Sequence, residues 1–390
     1  MKRALLVDTN FSAAPIAAAL SKGGFKVCTV GARPSDSLAL AHSDYIQADY
    51  SLPGTLESVI DQYGIDLLVP GCNDVSYEVC CEVANKLGLE GFEAEASLQK
   101  LHRKDQFRSL CEALSIPVPK TYATVEEGLE APGSLMIKPI DAYSGKGVQV
   151  LHQPTRGTIQ DGLNAASRAS SRGTALIEDF VEGQLYSYSA FLQAGRVQAA
   201  FNVIEFGSVN PFVVDTSYVL GEQLFESQLK ANVETLAEAL DIRKGLMHLQ
   251  YIASESQYWL IEPTRRCPGD LYSELIQRST GYPYAEAYAL AFIGGDLPEP
   301  DQVRQEYTVR HTLAAGREGA LDHVQCLNGA QLTAWYSLAS SGARLTPSPG
   351  GRVAVAFFTA GSEGERSSLV EDLRAGRVLK IQFRDKFDGH

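Results

Sequence analysis

The residues best suited to chemistry lie in LMIKPIDAYSGKGVQVL, from Leu135 to Leu151. Lys138 sits in an apolar, strand-like run that Pro139 closes, and a second strand-like run, VQVL, follows SGKG. The pattern predicts a hairpin with a glycine-rich tip. There Ser144, Gly145 and Gly147 can turn tightly and offer bare backbone N–H groups to an anion, with the charge of Lys146 beside them. That is phosphate chemistry; an ordinary hairpin with a solvated lysine reads the same way on these residues alone. The strand-loop-helix type of phosphate loop is excluded, because no GxxxxGK[ST] is present and a strand follows. Lysine is expensive to bury without a partner, which favours a functional reading of Lys138. A second charged group ends the run QYWLIEPTRRCPGD at 257–270, where Glu262 follows three apolar residues and Thr264, Arg265 and Arg266 come next. An unpaired carboxylate on such a strand is costly.

The elements that position these residues alternate at first. ALLVD (4–8), KVCTV (26–30) and DLLVPGCND (66–74) read as strands, and the segments at 13–24, 56–64 and 75–89 as helices. Alternation means a parallel sheet with ligands at the carboxyl ends of its strands, here Asp8, Thr9, Asn10 and Gly71, Cys72, Asn73, Asp74. No GxGxxG follows the first strand, which argues against a nicotinamide or flavin site. Asn73 and Asp74 are placed to line a pocket, and Asp74 is also a good helix N-cap. Beyond residue 95 come a helix, DQFRSLCEAL, with Phe107, Leu110, Cys111 and Leu114 on one face, and then a mixed set of hairpins and one long helix at 228–242.

Composition bounds the function. With 45% hydrophobic and 21% charged residues in 390, the chain reads as globular, with two or three packed units. A formal charge of −13 leaves no general attraction for nucleic acid or an anionic membrane, so a polyanionic ligand needs a local cluster of lysines and arginines. Seven cysteines without a CxxC pair, and a strand directly after Met1, are expected of a cytoplasmic protein. No apolar run approaches the roughly 20 residues of a membrane span.

The order of these motifs is specific. Lys104 before an FR helix, an apolar-Lys-Pro strand, a glycine-rich hairpin, IEDFVEG, a strand with a polar residue and an I-E-x-x-x-R strand follow one another over about 170 residues. The series resembles the ATP-grasp superfamily up to about residue 300. The resemblance implies an α/β and α+β fold: a parallel α/β domain at 1–95, two α+β subdomains clasping ATP at 96–300 with a hinge near 178–184, and a β-rich C-terminal cap at 301–390. It implies Lys104 and Lys138 at the phosphates and adenine edge, and Ser144, Gly145, Lys146 and Gly147 as a lid over the triphosphate. Glu178, Asp179, Phe180 and Val181 are implied to read adenine. Gln184 stands where family members often place a ribose-binding Glu. Gln250, Glu262 and Thr264 are implied to hold Mg2+, with Mn2+ as an alternative. Gln250 is the residue that carbamoyl phosphate synthases carry there, while Thr264 departs from the usual Asn. Arg266 takes the place of the family arginine at the γ-phosphate or acyl phosphate, with Arg265 beside it. Two planar guanidinium forks beside a metal suit a carboxylate and a phosphate held together. Cys267 reads as a small packed residue, His248 as a core histidine, and Asp215 as a site for a substrate ammonium.

The expected activity is that of an ATP- and Mg-dependent ligase that activates a small carboxylate as an acyl phosphate and joins it to an amine. Two readings compete: a bicarbonate-activating enzyme of the carboxylase or carbamoyl phosphate type, and a non-catalytic nucleotide-binding regulatory subunit. Expected partners are small molecules, with neither nucleic acid nor membrane; homodimers are common in the superfamily.

Overall fold

The computed structural model describes residues 1–141, 145–221, 225–300, 306–327 and 329–384. The chain opens with β1 (Arg3–Val7), α1 (Ala14–Lys22), β2 (Lys26–Gly31), α2 (Ser37–Ala41), β3 (Tyr45–Gln47), α3 (Thr55–Tyr63), β4 (Leu67–Pro70) and α4 (Asp74–Leu87). The four strands are parallel in the order β3-β2-β1-β4. Ala4 to Val7 are all buried, as expected of a strand covered on both faces, where apolar residues run on without alternation. At the carboxyl ends Asp8 ties two loops together, accepting hydrogen bonds from Cys72 N at 2.9 Å and Asn73 Nδ2 at 3.1 Å.

Next come α5 (Glu95–His102), α6 (Lys104–Ala113), β5 (Thr121–Tyr122), α7 (Val125–Leu129), β6 (Leu135–Pro139), β7 (Gln149–Leu151), α8 (Arg156–Ala169) and β8 (Ala175–Asp179). Their strands form an antiparallel sheet ordered β5-β8-β6-β7. β6 and β7 are the hairpin the glycines announce, with Leu135 opposite Leu151 and Ile137 opposite Gln149. Leu135 and Ile137 pack with Ile159, Ala166 and Ile177. Strand alternation therefore turns Lys138 to the other face. Gly145 and Gly147 have φ of 71° and 74°, the left-handed turn that glycine allows at no steric cost.

The rest is built on a long antiparallel sheet. β9 (Gln184–Gln193), β10 (Arg196–Phe206), β11 (Thr216–Val219), α9 (Glu226–Ala239), β12 (Gly245–Ala253), β13 (Tyr258–Thr264), α10 (Tyr272–Thr280) and α11 (Tyr284–Ile293) come first. They are followed by β14 (Tyr307–Ala314), β15 (Gly319–Cys326), β16 (Leu332–Ser337), β17 (Arg344–Leu345), β18 (Arg352–Ala360), α12 (Glu363–Arg374) and β19 (Leu379–Phe383). Eight strands pair in the order β13-β12-β9-β10-β11-β14-β18-β16, so strands from the C-terminal stretch continue the sheet. One face buries Tyr188, Ala190, Met247 and Leu249 against Leu229, Val233 and Leu236 of α9. The other carries Phe191, Val203 and Leu246 into a cluster shared with Leu275, Tyr284 and Tyr288 and with Leu6, Val69 and Tyr77 of the first unit. One core thus fixes the carboxyl ends of the parallel sheet beside β12 and β13.

Candidate active-site cleft

Three ion-pair groups meet where α6, β6, β8, β13 and the start of α4 converge. Lys138 of β6 and Glu178 of β8 lie on one face, because Glu178 pairs in register with Met136 two residues back. The Lys138 ammonium contacts Glu178 Oε1, and Arg108 of α6 donates from Nε to Glu178 Oε2 at 3.1 Å. Arg108 also donates to Ile261 O at 2.8 Å, which links this group to β13. Glu178 is only 1% exposed. Burial raises its carboxyl pKa, but Arg108 and Lys138 outweigh burial and hold it below the usual carboxylate value. Burial, with help from Arg108 and Lys104 and against Glu178, pushes the Lys138 ammonium down to about 8.

Lys104, at the first position of α6, lies 3.2 Å from Glu262 of β13. Burial raises the Glu262 carboxyl, but Lys104 and Lys138 outweigh it, so the group is held low and charged. Its side chain keeps 40% exposure. Gln250 stands opposite it on β12.

The third group crosses between units. Arg266 donates to both oxygens of Asp74, from Nε at 2.9 Å and Nη2 at 3.1 Å, and Thr264 Oγ1 donates to the same carboxylate at 3.2 Å. Asp74 does not cap α4. That place belongs to Asn73, whose side chain accepts from Ser76 N, and Asp74 is released to hold Arg266.

Several expectations change. Arg265 points away from Arg266, into the core. It is 3% exposed, and its three nitrogens are spent on Glu93 (3.2 Å), Leu246 O and Lys244 O (2.8 Å), which makes it a structural arginine rather than a catalytic one. Thr264 is a strut for Asp74, and its Oγ1 also accepts from Arg266 N at 3.3 Å. Both Glu178 oxygens are committed to cations, so its carboxylate does not face a base edge. Gln184 Nε2 donates to Leu185 O (2.9 Å) and Glu205 O (2.6 Å), so only its amide oxygen is left to accept from a hydroxyl. Asp215 is buried and accepts from Ser208, Val209 and Thr216, neutral donors that hold its carboxylate in the loop. Ser144 lies outside the described residues. Lys146 stands exposed at the tip. Gly145 lies against Phe212 of the 207–214 loop, since an added Cβ would come within 2.5 Å of the Phe212 Cβ.

At the hinge, Asp179 accepts from Tyr122 Oη at 2.7 Å, and the backbone N–H groups of Asp179 and Phe180 donate to Lys120 O and Ser134 O, both at 2.9 Å. Gly183 is obligatory there: a Cβ would lie 2.5 Å from Ala253 O of β12. Cys267 is fully buried, and His248 is buried against Ser189 Oγ at 2.7 Å, its imidazole pushed down to about 3 by burial. Sequence reading missed Arg108, which it saw only as part of an FR pair, and Glu205, a buried acid at the end of β10.

The parallel α/β unit and the antiparallel sheets around these residues share their fold with ATP-grasp enzymes of known structure. The chain superposes on the L-amino acid ligase from Bacillus licheniformis with a TM-score of 0.79, covering 99% of each chain at 15% identity. It superposes on the biotin carboxylase domain of Hydrogenobacter thermophilus 2-oxoglutarate carboxylase, solved with magnesium ADP and bicarbonate, with a TM-score of 0.77. That match covers 98% of this chain and 91% of the other at 14% identity. In sequence it is 24% identical to D-alanine–D-alanine ligase from Fusobacterium nucleatum over 182 residues, 44% of this chain. The matched region spans 58% of that relative's length. No family model matches the sequence. Among the described residues no helix is long and apolar enough to cross a membrane.

Proposed function

We propose that the protein is an ATP- and Mg-dependent ligase that transfers the γ-phosphoryl group of ATP to a small carboxylate and passes the acyl group to an amine, with release of ADP and phosphate. The observation that carries this reading is the convergence of Lys104–Glu262, Lys138–Glu178 and Arg266–Asp74 on one cleft in a fold shared with such ligases. Residues 1–95, 96–300 and 301–390 are taken as its three units.

Phosphoryl transfer asks the protein for positioning and charge neutralisation more than for covalent chemistry. Lys138 and Lys104 meet the phosphates, the N–H groups at Gly145 and Gly147 close over them with Lys146, and the backbone groups of 179–181 other than the N–H of Asp179 and Phe180 read the adenine edge. Arg266, held flat by Asp74, neutralises charge on the activated carboxylate. Glu262 and the Gln250 amide oxygen are hard donors that fit Mg2+. An ion of this kind takes its other ligands from phosphates and water. Bound there, Mg2+ would neutralise the β- and γ-phosphates.

The test is turnover of Mg-ATP by the purified protein against pools of amino acids, small carboxylates, amino sugars and bicarbonate, with ADP and AMP separated by chromatography. Pool-dependent ADP and phosphate is the expected result; AMP and pyrophosphate would overturn the mechanism. Turnover that requires bicarbonate would move the substrate to that anion, and tight ATP binding without turnover in any pool would favour a regulatory subunit.

The position of Lys138 predicts a pH dependence. Its folded-state pKa lies below that of an unfolded lysine, so keeping it charged costs stability below about pH 8. That cost is relieved as pH rises from about 8 towards 10.5. Loss of stability therefore does not explain a fall in activity there. Loss of its charge does, and kcat/KM for ATP is expected to fall as pH rises through about 8. Lys138→Arg stays charged throughout and should remove that alkaline limb, whatever the height of its profile. An identical limb in both proteins would show that another group titrates.

A further inference from the structure

Glu205 is a buried acid that the reading above does not use. At the end of β10 it is 5% exposed, and the hydrogen bonds to its side chain come from neutral groups. Ser187 Oγ donates to Oε1 at 2.9 Å and Gln250 Nε2 donates to Oε2 at 2.9 Å. Burial raises its carboxyl above the usual value, against Ser187, the more distant Arg310 and Gln250, so keeping it charged is costly and calls for a reason.

Its place in the sheet supplies one. In the order β13-β12-β9-β10, Gln250 faces Glu262 on one side and Ser187 on the other, with Glu205 beyond. A carboxamide has a donor end and an acceptor end and can be turned either way, whereas an ionised carboxylate only accepts. Glu205 therefore captures the NH2 end of Gln250 and leaves the amide oxygen on the other branch, towards Glu262. Glu205 is itself held, because Ser187 Oγ, which bonds Oε1, also shares a hydrogen bond of 2.6 Å with Tyr272 Oη.

We infer that Glu205 is a positioning residue that presents the Gln250 oxygen, beside Glu262, to the divalent cation carried with the nucleotide. The inference rests on the nucleotide-site reading above. It accounts for an amide where a carboxylate would be the stronger ligand: the negative charge sits one hydrogen bond behind the ligand.

The experiment measures metal affinity without turnover, by paramagnetic resonance of free Mn2+ titrated into protein with a non-hydrolysable ATP analogue. Glu205→Gln offers Gln250 either end of an amide, so the orientation is lost and Mn2+ affinity should fall by about 10–100-fold. Gln250→Glu alone sets two carboxylates head to head, so the pair holds a proton that Mn2+ must displace, and its affinity should fall short of that of the double variant below. In the double variant Glu205→Gln, Gln250→Glu the donor and acceptor are exchanged, and affinity should recover towards that of the wild type. A purely structural role would lower the melting temperature without this pattern in metal affinity. Unchanged Mn2+ affinity in Glu205→Gln, or a double variant as weak as the single ones, with the analogue still bound, would overturn this inference alone. A wild-type protein that binds no nucleotide would overturn both it and the site reading.

Discussion

Exchanging Glu262 for alanine is expected to lower ATP turnover by at least about 10³-fold while leaving the protein folded. Of the carboxylates in the three ion-pair groups Glu262 keeps the most exposure, with 40% of its side chain open, whereas Glu178 and Asp74 are spent on arginine and lysine. Its ion pair with Lys104 is partly solvated, and such pairs contribute on the order of 1 kcal/mol or less. A melting temperature within a few degrees of the wild type is therefore expected. Lost turnover that is partly restored by raised Mg2+ would mark the residue as a metal ligand. Full turnover in Glu262→Ala would sink that assignment and remove the main support for phosphoryl transfer.

The parallel sheet, the hairpin and the I-E-x-x-x-R strand were legible because each is set by local periodicity and by glycine and proline placement. What was not legible is which face of an element meets which partner. Arg265 and Arg266 are adjacent and alternate across the strand end, so the sequence says that they diverge but not which one looks at the cleft. Asn73 and Asp74 are both good capping residues, and the choice follows from Arg266, 192 positions away. Arg108 and Glu178 are separated by 70 positions, a pairing no local pattern encodes. The continuation of the sheet through β14 and β18 is non-local in the same way. Glu205 did leave a trace. It shares a strand face with Phe201 and Val203, and one acid on an otherwise apolar face is the anomaly that could have drawn attention to it.

Removing Glu178 should have the largest effect on stability. It alone separates Lys138 and Arg108, which are 4% and 1% exposed, and both depend on its two oxygens. In Glu178→Ala two cations are left facing one another in a dry interior. Breaking a buried ion pair from one side costs about 3–5 kcal/mol, most of it the penalty of the orphaned charges. The melting temperature should fall by on the order of 10 °C. The origin of that loss is testable with a second exchange. Adding Lys138→Met to Glu178→Ala leaves Arg108 with Ile261 O and the face of the Phe107 ring, 5.8 Å from its centroid, and removes the other orphan. The double variant should therefore regain part of the stability while ATP affinity stays low, since Lys138 is gone. A double variant less stable than Glu178→Ala would mean that lost packing rather than unpaired charge sets the penalty. A Glu178→Ala protein as stable as the wild type would mean that water reaches the triad, and the low ammonium pKa of Lys138 would lose its physical basis.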